Sequence, residues 1–235
     1  MAAVWAIIPA AGAGERFGGA CAKQYFKLDG RPMIAHALSL FLEARCIDGV
    51  AVALVPDDSE WSALVPEKCS KPLVTVTGGA TRADSVLAAL AAIAGRVAAD
   101  DWVVVHDAAR PCLDPIELER LISVLADDPV GGILAAPVDD TLKQVDEAGR
   151  IARTVDRAGL WRALTPQMFR YGLLRDALAK TLADGAAVTD EAMAMERAGH
   201  SPRLVAGSAD NIKVTRMQDV AMAEAILTAR AALPR

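Results

Sequence analysis

The chain predicts an α/β fold: a Rossmann-like, mostly parallel sheet with helices on both faces and a protruding β-hairpin arm. Three observations carry that expectation. Short β-branched runs alternate with Ala- and Leu-rich stretches along almost the whole chain, which is how the strands and covering helices of a buried parallel sheet read. A glycine-rich loop leaves the first apolar run directly, at the carboxyl edge where such sheets bind ligands. The length of 235 residues, 53% of them apolar, suits one core with embellishments.

Taken in order, Val4 to Pro9 reads as a buried strand, and Pro32 to Ala44 as a helix with proline in its first turn. Val50 to Val55 and Leu73 to Val76 are the next strands. Arg82 to Ala94 repeats apolar residues at helical spacing behind Thr81, a suitable N-cap. Trp102 to Val105 is a very apolar strand ending in His106-Asp107, followed by a helix at about Pro115 to Ala126 and a strand at Gly132 to Ala136. Two short runs, Thr141 to Val145 and Ile151 to Val155, then flank Asp146-Glu147-Ala148-Gly149-Arg150, the pattern of a β-hairpin. A lone two-stranded arm is marginal in water, so it is expected to lean on a second subunit. Helices near Tyr171 to Leu182, Asp190 to Ala198 and Met217 to Ala231 complete the chain. The organisation expected is one domain over residues 1–235 with an arm at about 138–158.

The charge balance of 25 basic and 30 acidic residues, net −5, contains no Lys/Arg-rich block. That argues against general nucleic-acid binding and requires any anionic ligand to be held by a local cluster of cations. Four scattered cysteines without a C-x-x-C pair read as reduced thiols of a cytoplasmic protein. The apolar N-terminus lacks the positive leader of a signal peptide. No apolar run reaches the ~18 residues needed to span a bilayer.

The strongest local signal is PAAGAGERF at residues 9–17, with Lys23-Gln24 downstream. Small residues let backbone N–H groups approach phosphate oxygens closely, and Arg16 and Lys23 can neutralise them. A Walker loop needs glycine followed by Lys-Ser or Lys-Thr, which is absent. A Rossmann dinucleotide fingerprint needs an acidic residue about 20 positions on, and Asp57, the first after the second strand, comes far too late. A nucleotidyltransferase loop and a plain strand-to-helix turn both remain open on the loop alone. Three further polar clusters follow strands: GGATRADSV from Gly78, HDAARP from His106 and DNIKVT from Asp210.

Together with AKQY, GGILAAPVDDTLK, TVDRAGLWRALTPQ and TDEA, in this order, these motifs resemble the 2-C-methyl-D-erythritol 4-phosphate cytidylyltransferase family of the non-mevalonate isoprenoid pathway. The resemblance runs from about Val4 to the last helix. It departs at Ala22, where the family usually has proline, and at Ala80, where acidic residues are common. It implies a fold of the nucleotide-diphospho-sugar transferase type. The reaction implied is magnesium-dependent attack of an acceptor phosphate oxygen on the α-phosphorus of CTP, with pyrophosphate leaving. Arg16 and Lys23 would hold the triphosphate, and Arg157 and Lys213 would grip the acceptor phosphate as the other two catalytic cations. Asp107, Arg110 and Thr141 would complete the acceptor site. Ala10, Ala11, Gly12, Gly14, Gly79, Ala80 and Ser85 would bind the nucleotide, with Ala80 acting through its backbone only. Asp107 and Asp210 are the candidates to orient Mg²⁺, which would be held mainly through phosphates. The hairpin would make a homodimer by reaching into the neighbouring subunit's site. A ribitol-5-phosphate cytidylyltransferase and a non-catalytic nucleotide-binding module are the alternatives. His36 reads as a packing residue and His200 as surface, His106 has no metal partner at ligand spacing, so zinc is not expected, and Met193 and Met195 read as helix packing.

Overall fold

The computed structural model describes residues 2–12, 17, 22–65, 69 and 71–232. Seven strands form one sheet: β1 (Val4–Pro9), β4 (Gly49–Leu54), β5 (Leu73–Thr77), β6 (Trp102–Val105), β7 (Gly131–Pro137), β10 (Trp161–Arg170) and β11 (Arg203–Ala206). Their spatial order is β11-β7-β10-β6-β1-β4-β5. Only β10 runs antiparallel to its neighbours β6 and β7. The other paired strands are parallel, as the apolar runs led us to expect.

Side chains alternate across a strand, so each run feeds two cores. Ala6, Ile8, Val50, Val52 and Val104 face one side. They pack against α1 (Met33–Glu43) and α3 (Pro115–Leu125) through Ile34, Phe41, Leu118 and Leu121. Ile7, Ala51, Val103, Val105 and Phe169 face the other side. There they meet α2 (Arg82–Ala92), α4 (Tyr171–Ala183) and α5 (Glu191–Arg197) through Val86, Leu90, Leu174, Leu178 and Met195. A third, small cluster of Leu28, Met33, Cys112, Val214 and Ala223 seats α6 (Gln218–Ala231) beside the loop after β6.

Helix boundaries follow local chemistry. Thr81 caps α2 in a reciprocal box with Asp84, and Asp114 caps α3 ahead of Pro115 at its first turn. Pro32, expected inside the first helix, is instead its N-cap. It closes a minimal hairpin of β2 (Lys27–Leu28) and β3 (Arg31–Pro32).

The segment from Leu142 to Val155 is a separate antiparallel ladder, β8 (Leu142–Val145) with β9 (Ile151–Val155). Asp146 Oδ1 accepts the N–H groups of Ala148 and Arg150 to close its turn. Val145 and Ile151 are 57% and 65% exposed, so the arm buries little on its own chain.

Candidate active site

A cleft of about 610 Å³ opens over the carboxyl ends of β1, β5 and β6. Its floor is Pro9 to Gly12, and its walls are Gly79 to Arg82, Ser85, and Asp107 to Ala109. Lys23, Gln24, Lys213 and Thr215 close the rim. The first loop is held rigidly at its start. Ala10 donates its N–H to Ala53 O (2.7 Å), and the buried Gln24 amide donates to Ala10 O (3.0 Å). Gly14 and Arg16 lie outside the described residues. Lys23 occupies a short 3₁₀ turn, and its ammonium donates to Val214 O at 3.3 Å. The loop after β1 and the segment bearing Lys213 therefore meet.

The lip after β5 is built from hydrogen bonds. Gly79 donates its N–H to Ser85 Oγ (3.1 Å), and Ser85 Oγ donates to Thr81 O (3.0 Å). Ser85 thus lines the cleft with its hydroxyl already engaged, shaping the Gly79-Ala80 turn. A side chain on Gly79 would bring its Cβ within 2.3 Å of Asp84 Cβ, so only glycine lets the turn fold onto the capped helix.

Asp107 is the electrostatic centre. Its Oδ1 accepts from Arg82 Nε at 2.7 Å, and its Oδ2 lies 2.7 Å from Lys213 Nζ and 3.8 Å from Arg110 Nε. Burial alone would raise the carboxyl's pKa, but Arg82 and Lys213 together hold it well below the usual carboxylate range. Arg82 is in turn clamped by the fully buried Glu191, with Nη1 and Nη2 at 2.6 and 3.0 Å from its two oxygens. Burial lowers the Arg82 pKa, yet these two carboxylates outweigh it and hold the guanidinium firmly protonated.

The same loop is braced from behind. Thr165 Oγ1 accepts the Asp107 N–H (3.1 Å) and bonds His106 Nδ1 (3.0 Å). The fully buried His106 ring bonds Arg110 O through Nε2 (2.9 Å). Burial pushes the imidazole down to about 4. Arg110 points inward: Nη1 donates to Asn211 O (2.6 Å), and Nε, buried, makes no hydrogen bond. Burial lowers its pKa. Asn211 Nδ2 donates to Thr165 O (2.7 Å), tying the Lys213 segment to β10.

The residues expected at a site thus separate into groups. Ala10, Ala11, Gly12, Gly79, Ala80, Ser85, Lys23, Asp107 and Lys213 line one cleft. Arg110 lies behind Asp107 rather than in that lining. Asp210 is exposed, its N–H turned to Ser208 Oγ. Thr141 and Arg157 flank the arm, and Arg157 donates to Asp139 O; a single chain does not bring these two to the cleft lining.

Sequence reasoning missed Arg82, Glu191, Thr165 and Asn211. One signal was present for Arg82: a cation in the first turn of a helix opposes the helix dipole and asks for a compensating carboxylate.

Among the described residues no group of three or more His, Cys, Asp or Glu side chains could hold a metal ion. Among the described residues the cleft offers one carboxylate, Asp107, against three lining cations. That donor set fits a hard cation that takes most of its oxygens from phosphate and water. It does not fit a metal caged by protein.

The family model described as 2-C-methyl-D-erythritol 4-phosphate cytidylyltransferase matches residues 4–229. The chain is similar to proteins of that name from Pseudomonas entomophila and Stenotrophomonas maltophilia. It is 51% identical to the former over 94% of both chains, and 50% identical to the latter over 98% of this chain and 99% of that one. Its fold is similar to the crystal structure of the Francisella tularensis protein of the same name. The TM-score is 0.82 at 36% identity, covering 95% of this chain and 99% of that one.

Proposed function

The chain belongs to the 2-C-methyl-D-erythritol 4-phosphate cytidylyltransferase family, and we infer from its cleft how it carries out that reaction. It transfers CMP from CTP to 2-C-methyl-D-erythritol 4-phosphate, giving 4-diphosphocytidyl-2-C-methyl-D-erythritol and pyrophosphate. The observation that carries the site assignment is the charge layout: among the described residues, Lys23, Arg82 and Lys213 line a cleft with a single carboxylate, under two glycine-bearing lips.

A phosphate monoester has its second pKa near 6, so the acceptor oxygen arrives ionised and needs no general base. It bonds to the α-phosphorus as the bond to the β-phosphate oxygen breaks, and pyrophosphate leaves in line. The obstacle is bringing two polyanions together, and placed cations lower it. Lys23, with Arg16, would hold the triphosphate. Lys213 would hold the acceptor phosphate, and the acceptor hydroxyls would meet Asp107. Cytosine would lie against Ala10, Ala11, Gly79 and Ala80, where backbone groups can test its Watson–Crick edge. A divalent metal, which we propose to be Mg²⁺, would be held beside Asp107 and would supply charge neutralisation to the phosphates. Asp210 is the second candidate to orient its waters.

We take residues 1–235 as one nucleotidyltransferase domain acting as a homodimer. Support comes from the arm, whose Val145 and Ile151, with Leu160 and Trp161 at its base, leave apolar surface exposed that a second copy would cover. Such a partner would bring Thr141 and Arg157 to the acceptor. No helix of the described residues is long and apolar enough to cross a membrane. With the cysteine pattern, this supports a cytoplasmic location.

Pyrophosphate release from CTP and Mg²⁺ tests the reading, with methylerythritol phosphate and ribitol 5-phosphate as rival acceptors. Release with the first alone is expected. Release with ribitol phosphate alone would overturn the acceptor, and silence with both would favour a binding module. Mixing Lys23→Ala with Arg157→Ala should restore part of the activity if the arm crosses between subunits. No rescue from demonstrated mixed dimers would refute the shared site.

A further inference from the structure

A chain of alternating charges runs from the core to the cleft: Glu191, Arg82, Asp107, Lys213. The two carboxylates are buried, their side chains 0% and 8% exposed. Arg82 between them is 25% exposed, and the outermost Lys213 is 41% exposed. Each nitrogen of the Arg82 guanidinium donates to a carboxylate: Nε to Asp107, Nη1 and Nη2 to Glu191. A bidentate fork of this kind fixes orientation as well as charge.

Consequences follow for the two oxygens of Asp107. Oδ1 is bound to a guanidinium that Glu191 holds in place. Oδ2 is bound to a lysine on a flexible stem at the wet edge of the cleft. Ion pairs weaken with solvent exposure, so the outermost link is the one that exchanges. An incoming phosphate dianion offers Lys213 more negative charge than the single carboxylate does, and the exchange leaves Oδ2, with Arg110 Nε still 3.8 Å behind it, able to accept from an acceptor hydroxyl.

We propose that Glu191 and Arg82 are positioning residues that pin Oδ1 of Asp107, so that Oδ2 alone exchanges and Lys213 passes from it to the acceptor phosphate. Glu191 is not among the residues that line the cleft; it sits on α5, behind Arg82 of the cleft wall. This inference rests on the functional reading above. It also accounts for a glutamate buried completely at the start of a helix that Asp190 already caps.

Without the clamp, Arg82 no longer holds Oδ1. Asp107 can turn, and with less of its charge neutralised it retains Lys213 more tightly. The penalty falls on the acceptor, not on CTP. Glu191→Gln keeps the size and one acceptor oxygen but removes the charge. Because it leaves Arg82 without its buried counter-ion, it can also lower stability. The pair Arg82→Met with Glu191→Leu removes both charges together and leaves no orphan behind.

The test is steady-state kinetics of both variants beside the wild type, with acceptor and CTP varied separately. We expect the KM for methylerythritol phosphate to rise about tenfold or more in both variants, with the KM for CTP within about threefold of wild type in Glu191→Gln, whose side chain is outside the cleft lining, a selective loss of binding energy. A merely structural role would lower kcat per mole of protein and leave the acceptor KM in place. Unchanged acceptor KM in both variants overturns the proposal, as does a parallel rise in both KM values in Glu191→Gln. Silence of the wild type itself would sink the functional reading on which the proposal depends, which is a distinct result.

Discussion

Lowering the pH from 7 to 5 should weaken the fold through one buried imidazole, and the size of that loss can be worked from the structure. His106 is fully buried beside Asp107, with Phe41 edge-on to its ring at 5.5 Å. A carbonyl can only accept, so Nε2 carries the proton it donates to Arg110 O. Nδ1 is then an acceptor, served by the Thr165 hydroxyl. A second proton on Nδ1 would face a hydroxyl oxygen that already accepts the Asp107 N–H. With burial the larger cause, the ring's pKa falls from an ordinary 6.5 to about 4.

Above pH 6.5 the ring is neutral folded or unfolded and contributes no pH dependence. Between 6.5 and 4 the unfolded chain takes up a proton that the folded protein refuses, so stability falls as pH falls. The full gap corresponds to about 3 kcal/mol, of which about 2 kcal/mol is lost between pH 7 and 5. Urea unfolding of the wild type and His106→Gln at pH 7, 6 and 5 isolates this, because every other titrating group is common to both. Glutamine keeps a donor for Arg110 O and cannot titrate. The variant should be the less stable at pH 7, and the difference should shrink by about 2 kcal/mol by pH 5. Curves that stay parallel to within about 0.5 kcal/mol would mean that the imidazole is not held neutral, and the bracing of the Asp107 loop through Thr165 would have to be rethought.

Two further substitutions probe the lips and the centre of the cleft. Gly79→Ala places a Cβ 2.3 Å from that of Asp84; the lip must shift, and CTP saturation should show a KM raised about tenfold, with about 1–3 kcal/mol of stability lost in urea. Asp107→Asn leaves buried Arg110 and the rim lysine Lys213 without their carboxylate; turnover should drop about a hundredfold or more, and stability by about 3 kcal/mol, with wild-type turnover at saturating substrate the result that would refute it.

What the sequence discloses and what it hides have physical causes. Strands β1, β4 and β6 are buried on both faces and read as continuous apolar runs, and the polar residues after β1 and β6 therefore stood out as a sheet edge. Strand β10 went unread. Pro166 cannot donate to a ladder, and the pairing with β7 shifts register between Ala163 and Gln167. Its buried Thr165 and Gln167 also interrupt the apolar pattern. Those two residues are the ones the site needs. Thr165 holds the Asp107 N–H, and Gln167 accepts the Ala192 N–H while donating to Asp190. A strand that spends buried positions on hydrogen bonds loses the pattern by which strands are found. Arg82 and Glu191 were hidden differently. They are 109 positions apart, and local spacing carries no trace of such a pair. Arg110 was legible as a member of a polar motif, but nothing in HDAARP says that its guanidinium turns inward to Asn211.

The overall charge of −5 and the cations of the cleft are compatible because they act at different ranges. At physiological ionic strength the field of a surface charge decays over about 8 Å, so the acidic exterior neither attracts CTP nor greatly repels it. Inside the cleft, Lys23, Arg82 and Lys213 lie within one cavity of about 610 Å³. There the partly enclosing walls make each charge count for more than it does on the open surface. Such a layout does little for capture from a distance. Its effect is greatest when charge is most concentrated, as the acceptor oxygen and the α-phosphate close on each other, which is where binding energy raises turnover. Keeping these cations together requires counter-charge, and Asp107, with Glu191 behind Arg82, supplies it. Neutralising Asp107 would therefore not free the cations for substrate. It would let them repel one another out of place.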